Sequence, residues 1–582
     1  MLESPAFLNV ETSVTGRRWL GPTAEVDRLG QAIAQAAGVS EIVGRVLARR
    51  GVDPAGAAAF LAPALRDLMP DPSSLRDMDT AAARFWQAVK RRERIAVFAD
   101  YDVDGGASAA LILTWLRGLG LGATLYVPDR IEEGYGPNVP AMRRLGESHD
   151  LVVCVDCGTL SHEPVAAAGC DVIVLDHHLA GETLPGAVAV VNPNRQDETG
   201  DLGYLCAAGV VFLMLVAVNR LMRAEGLTGP DLLGFLDLVA LATVADVAPL
   251  TGLNRALVRQ GLAIMAQRGR PGLVALAGVA GVTGAPSAWS LGFALGPRVN
   301  AGGRIGAADL GARLLATADP HEAAALAERL NRLNGERKEI EAGVLAAATE
   351  QAAARGADGP LVWAAGPGWH PGVVGIVAAR LKEAFGRPAV VIGLDGAGEG
   401  KGSGRSVPGV DLGAAIARLG REGLIVRGGG HRMAAGLTVA ADRLEAAMER
   451  LGLLLAGEGA GTDPARSLHL DGLVAPAGAT VELARAIAAA GPYGAGAPAP
   501  RLAVSARLAA ARRVGANHLA LSLVDPAGAR LDAIAFRATE APLGAFLADR
   551  AGAGVHLAGR LEQDEYAGRV RVKLHVEDAA PA

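Results

Sequence analysis

At 582 residues the chain is too long for one hydrophobic core, so three or four domains are expected. Its 51% hydrophobic and 20% charged residues exclude a disordered or fibrous protein. A net charge of −5 argues against a general nucleic-acid-coating protein, but a local cationic groove can coexist with it.

In chain order, residues 1–75 read as a helical, accessory extension that ends in the turn-prone MPDPSS (69–74). The first residues show no basic region followed by an apolar stretch, so no signal peptide is expected. From Arg94 short apolar runs alternate with longer segments. RIAVFAD (94–100), ATLYVPD (123–129), LVVCVD (151–156), DVIVLD (171–176) and AVAVVNP (187–193) read as buried strands. That alternation predicts an α/β fold with a doubly wound parallel sheet in a domain covering 76–318. The apolar segment 207–218 is too short to span a bilayer, and it reads, within 207–223, as a buried helix. Residues 232–245 read as a second one. An Ala/Glu/Arg-rich run with one proline at its start predicts a long connecting helix over 319–356. PLVWAAG opens a second, smaller α/β domain over 357–460. After GTDPARS, alternating patterns such as LAVSARL, HLALSLV, RLDAIAF, VHLAGRL and RVRVKLHVE predict an all-β domain or barrel over 466–578. Four cysteines are too few for a disulfide framework, and Cys154 and Cys157 read as buried small side chains rather than zinc ligands. A cytoplasmic protein without membrane attachment is expected.

The strongest chemical signal is AVFADYDVDGG (96–106). An apolar strand delivers Asp100, Asp102 and Asp104 into a loop, and three carboxylates so close repel unless a cation lies between them. An acidic helix cap is the plainer alternative. LVVCVDCG places Asp156 past another strand, and VIVLDHH places Asp176, His177 and His178 past a third. Sites in open parallel sheets form beyond the carboxyl ends of strands, so these side chains aim at one crevice. Asp246, in LATVADVAPL, ends an apolar helix where a lone buried charge would be costly. Several carboxylates with imidazole suit Mn²⁺ or Mg²⁺ better than structural zinc.

A second set of motifs is cationic and glycine-rich. VPDRIEEGYG carries Arg130 and Tyr135, GPRVNAGGRIG carries Arg298, Asn300 and Arg304, GKGSGRS carries Ser403 and Arg405, and VRGGGHRMAAG carries His431. Read as loops, glycine-flanked arginines would present N–H groups and guanidinium forks to a phosphate.

DYDVDG, VDCG, DHH and ATVADV, in this order, resemble the motifs of the DHH phosphoesterase superfamily. The resemblance implies two divalent ions, Mn²⁺ or Mg²⁺, and phosphate-ester hydrolysis. Asp102 would bind one ion and Asp104 the other, and Asp156 would bridge them. His177 and Asp246 would complete the second site. His178 would contact the scissile phosphate, and Asp100 would be a ligand or orient one.

From about 45 to 578 the chain resembles the RecJ family within that superfamily, with RVNAGGR, HPGVVGIVAARL and GGGHRMAAG as its signatures. The family usually reads NAAGR, and the glycine here is expected to be tolerated. The resemblance implies a 5′→3′ exonuclease of single-stranded DNA that acts in DNA repair and recombination and releases mononucleotides. The second domain would be the DHH-associated domain and the third an oligonucleotide-binding fold. Arg130, Ser403 and Arg405 would hold the 5′ phosphate. Arg304 and His431 would contact phosphates beside the metals, and Tyr135 would stack near a terminal base. Arg298 and Asn300 would face the strand. Arg512, Arg513, Arg530 and Arg537 would track its backbone, unless they form an ordinary solvated β surface. A helicase and a single-strand-binding protein would be partners of a monomer. Competing readings are a phosphodiesterase of short oligonucleotides or cyclic dinucleotides, an inorganic pyrophosphatase, and a non-enzymatic replication scaffold on the same fold. The third domain and the intact ligand set argue against them.

Overall fold

The computed structural model describes residues 5–356, 358–460, 467–566 and 569–582. The GTDPA of the tract that opens the third unit in the sequence reading lies outside the described residues, as does its Arg466. The chain forms two compact units.

The larger unit comprises Pro70–Ala248 and Leu257–Thr462. Its first sheet has five strands, β1 (Ile95–Ala99), β2 (Thr124–Tyr126), β3 (Leu151–Val155), β4 (Asp171–Leu175) and β5 (Ala189–Val191). All are parallel, in the order β2-β1-β3-β4-β5. The order reverses between β1 and β3, and crevices form at the carboxyl ends of strands at such a switch point. Both strands are buried along their whole length, which is why they read as unbroken apolar runs. Helices α1 (Val103–Gly118), α2 (Ala207–Ala224) and α3 (Leu236–Ala245) pack against one another. The apolarity and length of α2 would pass for a membrane span by composition, but most of its side chains are buried inside the protein. A π-helical turn (Ser290–Leu295) runs directly into α4 (Gly296–Ile305).

Helix α5 (Pro320–Arg355) is continuous over 36 residues, capped at its start by the Asp319 side chain. It leads to a second five-stranded sheet of β6 (Val362–Pro367), β7 (Ala389–Leu394), β8 (Glu399–Arg405), β9 (Arg427–His431) and β10 (Ala434–Ala440). The strand order is β9-β10-β8-β7-β6, and α6 (Pro371–Phe385) packs on β7 and β8. The glycine-rich motifs expected as loops are regular structure instead: GKGSGRS is most of β8, RGGGH is β9, and GPRVNAGGRI is α4. In β8 the alternate residues Gly400, Gly402 and Gly404 face Ile392, Leu437 and Leu412 so closely that a Cβ would fall within 3 Å of one of these side chains or of Ile392. Small residues on that face let the strand pack flat and send Lys401, Ser403 and Arg405 to the other one.

The smaller unit comprises Met1–Met69, Pro249–Ala256 and Asp463–Ala582. Strands β11 (Leu502–Val514), β12 (His518–Val524), β13 (Arg530–Ala535), β14 (Gly554–Tyr566) and β15 (Arg569–Pro581) pair in the order β11-β12-β13-β15-β14. β14 pairs back onto β11, so the sheet closes into a barrel. The N-terminal helices Ala24–Ala37 and Glu41–Ala48 do not stand apart. Their Ile33, Val43 and Leu47 lie in one buried cluster with Leu502, Leu521 and Leu557 of the barrel.

Candidate metal centre and phosphate pocket

β1 and β3 run in register, with Ala99 opposite Val155, so the residues that follow them emerge side by side. Asp102 accepts hydrogen bonds from the Asp104 and Gly105 amides and caps α1. Gly105 is required there, since a Cβ would lie 2.4 Å from the Asp100 carbonyl oxygen. Asp104 is fully buried and accepts from the Ala207 and Ala208 amides at the start of α2, at 2.7 and 2.8 Å. Asp156 has φ +61, a left-handed conformation that a non-glycine residue holds at a cost, and such strain concentrates at functional sites. Asp246 ends α3.

These side chains converge. Three sets of potential ligand atoms each lie within 4.8 Å: Asp100, Asp102 and Asp156; Asp104, His177 and Asp246; Asp156, His177 and His178. His177 Nε2 is 3.3 Å from Asp156, 3.7 Å from Asp104 and 3.8 Å from Asp246. The donor set fits divalent ions by a physical test. Asp100 Oδ1, Asp156 Oδ1 and His177 Nε2 are buried without a hydrogen-bond partner, although buried polar atoms are normally satisfied. Burial, reinforced by Asp102, pushes the Asp100 carboxyl well up. Burial and then Asp104, Asp102 and Asp100 do the same to Asp156. Burial also raises Asp104, and it carries Asp246 to about 8, with Asp104 and Asp102 adding to the shift. Cations would relieve all four shifts.

Asp176, which the sequence reading placed at a strand end without a role, organises the loop. It accepts from the Thr159 amide and hydroxyl, from the His177 and His178 amides, and from His178 Nδ1 at 2.8 Å. Burial would raise its carboxyl, but the His178 bond and charge hold it below the usual carboxylate range. Burial would likewise lower the His178 imidazole, and Asp176 instead lifts it to about 9. Asn192 braces this arrangement by donating to Thr159 Oγ1 and the His178 carbonyl. Tyr135 donates its hydroxyl to the Asp156 carbonyl at 3.0 Å and lies as close to His178 Nδ1. Its ring meets the His178 ring edge-on.

A cationic pocket adjoins the acidic cluster. The Arg130 guanidinium sits 5.0 Å over the ring of Tyr101, the residue between Asp100 and Asp102. Arg304 donates to the Gly372 carbonyl at 2.9 Å; burial, then Arg130 and Arg337, lower it to about 10. Burial followed by Arg130 lowers Arg405 and also His370, whose Nδ1 accepts from the Gly372 amide. Arg405 donates to Ser403 Oγ at 3.0 Å. Arginines crowded in this way, two of them held down by burial and by Arg130, suit an anion.

Other expected contacts sit differently. Arg298 is bound by Asn331 Oδ1 and the Ala294 carbonyl, within the protein. Asn300 Oδ1 accepts from the Val103 amide and braces the start of α1. His431 is exposed at the end of β9, paired with Ala434. The part of Asn300 is visible only in three dimensions, as its partner lies 197 residues away.

Carboxylates and imidazole at the strand ends of a parallel sheet, beside a cationic pocket, define a class: metal-dependent hydrolases of phosphate esters. The model of the DHH family, N-terminal domain, matches residues 94–243, the DHHA1 domain 358–457 and the RecJ OB domain 470–578. The chain is 40% identical to the single-stranded-DNA-specific exonuclease RecJ of Dickeya dadantii, over 85% of this chain and 89% of that protein. It is 37% identical to the protein of the same name from Escherichia coli, over 92% and 95%. Among solved structures, RecJ in complex with Mn²⁺ from Thermus thermophilus superposes with a TM-score of 0.79 at 30% identity, covering 95% of this chain and 78% of that one. The chain belongs to the RecJ family.

Proposed function

We propose that this protein is a single-stranded-DNA-specific exonuclease that degrades 5′→3′ to mononucleotides and acts in DNA repair and recombination. The observation that carries the reading is Tyr101. Its neighbours Asp100 and Asp102 belong to the acidic cluster, and its ring carries Arg130 of the cationic pocket. A terminal phosphate held by Arg130, Ser403 and Arg405 therefore lies close to the centre that cuts the next phosphodiester.

Asp100, Asp102, Asp104, Asp156, His177 and Asp246 would hold two divalent ions, Mn²⁺ or Mg²⁺. When bound, the ions supply Lewis acidity and a lowered pKa for water. The protein's own groups do the rest. His178, fixed by Asp176 and Tyr135 and carrying a proton, donates to a non-bridging oxygen of the scissile phosphate. Arg304 neutralises the same phosphate, with His431 further along the strand. Asn300 acts by fixing the α1 turn and Arg298 by fixing α4 to α5, while Tyr135 places its half-exposed ring beside the first base. The domain limits proposed are 1–75, 76–318, 319–356, 357–460 and 466–578. The compartment is the cytoplasm, the protein is a monomer, and a helicase and a single-strand-binding protein are its partners.

Digestion of single- and double-stranded DNA labelled at either end, with Mn²⁺, Mg²⁺ or EDTA, tests this reading. Release of 5′-labelled mononucleotide first, from single strands and only with metal, is the expected result. Release from the 3′ end, or equal digestion of blunt duplex, overturns it.

A further inference from the structure

The π-helical turn Ser290–Leu295 bears a feature that neither the metal centre nor the phosphate pocket uses. Trp289, just before it, and Phe293, within it, are 66% and 72% exposed. Their rings lie 6.1 Å apart and only 25° from parallel. Two large aromatics held face to face in water mark a binding surface, and π-helical turns concentrate at functional sites.

The placement indicates the occupant. A Cβ at Gly292 would touch Val244, and one at Gly296 would lie 3.3 Å from Ala245 and 4.0 Å from Val103. Val244 and Ala245 directly precede Asp246, and Val103 lies between Asp102 and Asp104. Phe293 is therefore about one helical turn from Gly296, whose backbone packs beside residues that adjoin the acidic cluster in sequence. The same element continues into α4, which carries Asn300 and Arg304. Val247, immediately after Asp246, is itself 70% exposed with φ +59, so the centre has an apolar residue at its rim. Unpaired bases offer flat apolar faces to such rings, whereas bases in a duplex are already stacked and paired.

The geometry points to Trp289 and Phe293 as a stacking shelf for the unpaired bases of the strand that enters the metal centre, and so as a determinant of single-strand specificity. This rests on the single-strand reading above. The shelf adds grip that is indifferent to base identity, because every base has a face to stack.

The test uses the full chain in EDTA, with oligo(dT) labelled at its 3′ end and followed by fluorescence anisotropy. Both residues are exposed, so W289A/F293A should fold, and its thermal melt is checked against wild type. The double variant should bind roughly ten- to a hundredfold more weakly, while W289F/F293Y, which keeps both rings, stays near wild type. A matched strand with abasic sites near its 5′ end should bind wild type more weakly, and the double variant should not distinguish it from the intact strand. A double variant that binds both strands as wild type does overturns the shelf and assigns the rings to a protein contact. An equal loss on intact and abasic strands overturns base stacking. Wild-type protein that binds no single strand in EDTA and degrades none in a parallel Mn²⁺ reaction overturns the function itself together with this inference.

Discussion

Two clusters of like charge lie on either side of Tyr101. On one side are Asp100, Asp102, Asp104, Asp156 and Asp246, four of them with carboxyls pushed up. On the other are Arg130, Arg304 and Arg405, the last two pushed down. Each is costly alone, because burial and repulsion both oppose the charged form. Cations would relieve the acidic side, and an anion such as phosphate the basic side. The difference lies in how the side chains are held. Asp102 and Asp104 are fixed by backbone amides at helix starts, whereas the guanidiniums rest on a ring, a carbonyl and a hydroxyl. Turnover should therefore depend steeply on the first cluster and substrate preference on the second.

The largest effect expected is on the acidic side. Asp156→Asn keeps a residue that tolerates a left-handed backbone but removes the charge. Turnover in Mn²⁺ should fall by at least about two orders of magnitude while the thermal melt in EDTA is unchanged or higher. A variant that keeps more than about a tenth of wild-type turnover would separate Asp156 from the chemistry.

Arg405→Ala tests the basic side. Its rate on 5′-phosphorylated strands should drop roughly ten- to a hundredfold relative to 5′-hydroxyl strands, from the loss of a charge-assisted bond of about 1.5–3 kcal/mol. Equal losses on both substrates would make the pocket a general backbone contact.

A third experiment reads the acidic cluster through pH. Carboxyls raised on folding bind protons that the unfolded chain has released. Stability without metal is thus fully present below the ordinary carboxylate range and is lost as pH rises through the folded value, about 8 for Asp246. The gain in melting temperature from added Mn²⁺ should therefore grow between about pH 5 and 8. A gain that is flat across this range would contradict the assigned cation site.

The smallest effects contrast two neighbouring glycines of α4. A Cβ at Gly303 would lie 2.6 Å from the Tyr101 carbonyl oxygen, so Gly303→Ala should cost about 1–3 kcal/mol and disturb both clusters. At Gly302 the nearest atoms are 3.2 Å away, on Ala307 and Leu330. Gly302→Ala, the residue usual in the family, should change stability by less than about 1 kcal/mol, since helix propensity offsets the crowding. Thermal melts of the two variants decide it, and equal shifts would remove Tyr101 as the point of contact.

Much of the acidic side was legible because its signals are local. Unbroken apolar runs give buried parallel strands, and a carboxylate at each strand end follows from chain order alone. The basic side was misread in form: glycine in GKGSGRS suggested a loop, although its spacing at 400, 402 and 404 is the period of a strand. Asp176 went without a role because its partner Thr159 meets it only after β3 and β4 pair. The N-terminal segment read as an accessory extension, because nothing in sequence says that Leu502 and Leu557 cover its Ile33 and Leu47. A chain cut at about 460 should therefore leave Ile33 and Leu47 uncovered, and removing the barrel is no clean deletion.

Helix α5 sets a mechanical tolerance for the whole arrangement. Its 36 residues span about 54 Å at the usual rise, with Leu326 and Leu330 buried near its start and Val344 and Ala348 packed with Val373 and Val374 further along. Arg304 on α4 and Arg405 on β8 lie on opposite sides of that strut in sequence, yet both feel the charge of Arg130 in the cationic pocket. A bend of about 5° at its middle would carry either end some 2 Å, more than a phosphate oxygen can shift and still be held by a hydrogen bond. Registration between the acidic cluster and the pocket thus rests on the direct bond from Arg304 to Gly372 and on the stiffness of this beam, in which Arg337, bonded to Asn334 and Glu341, is the buried rivet near midspan.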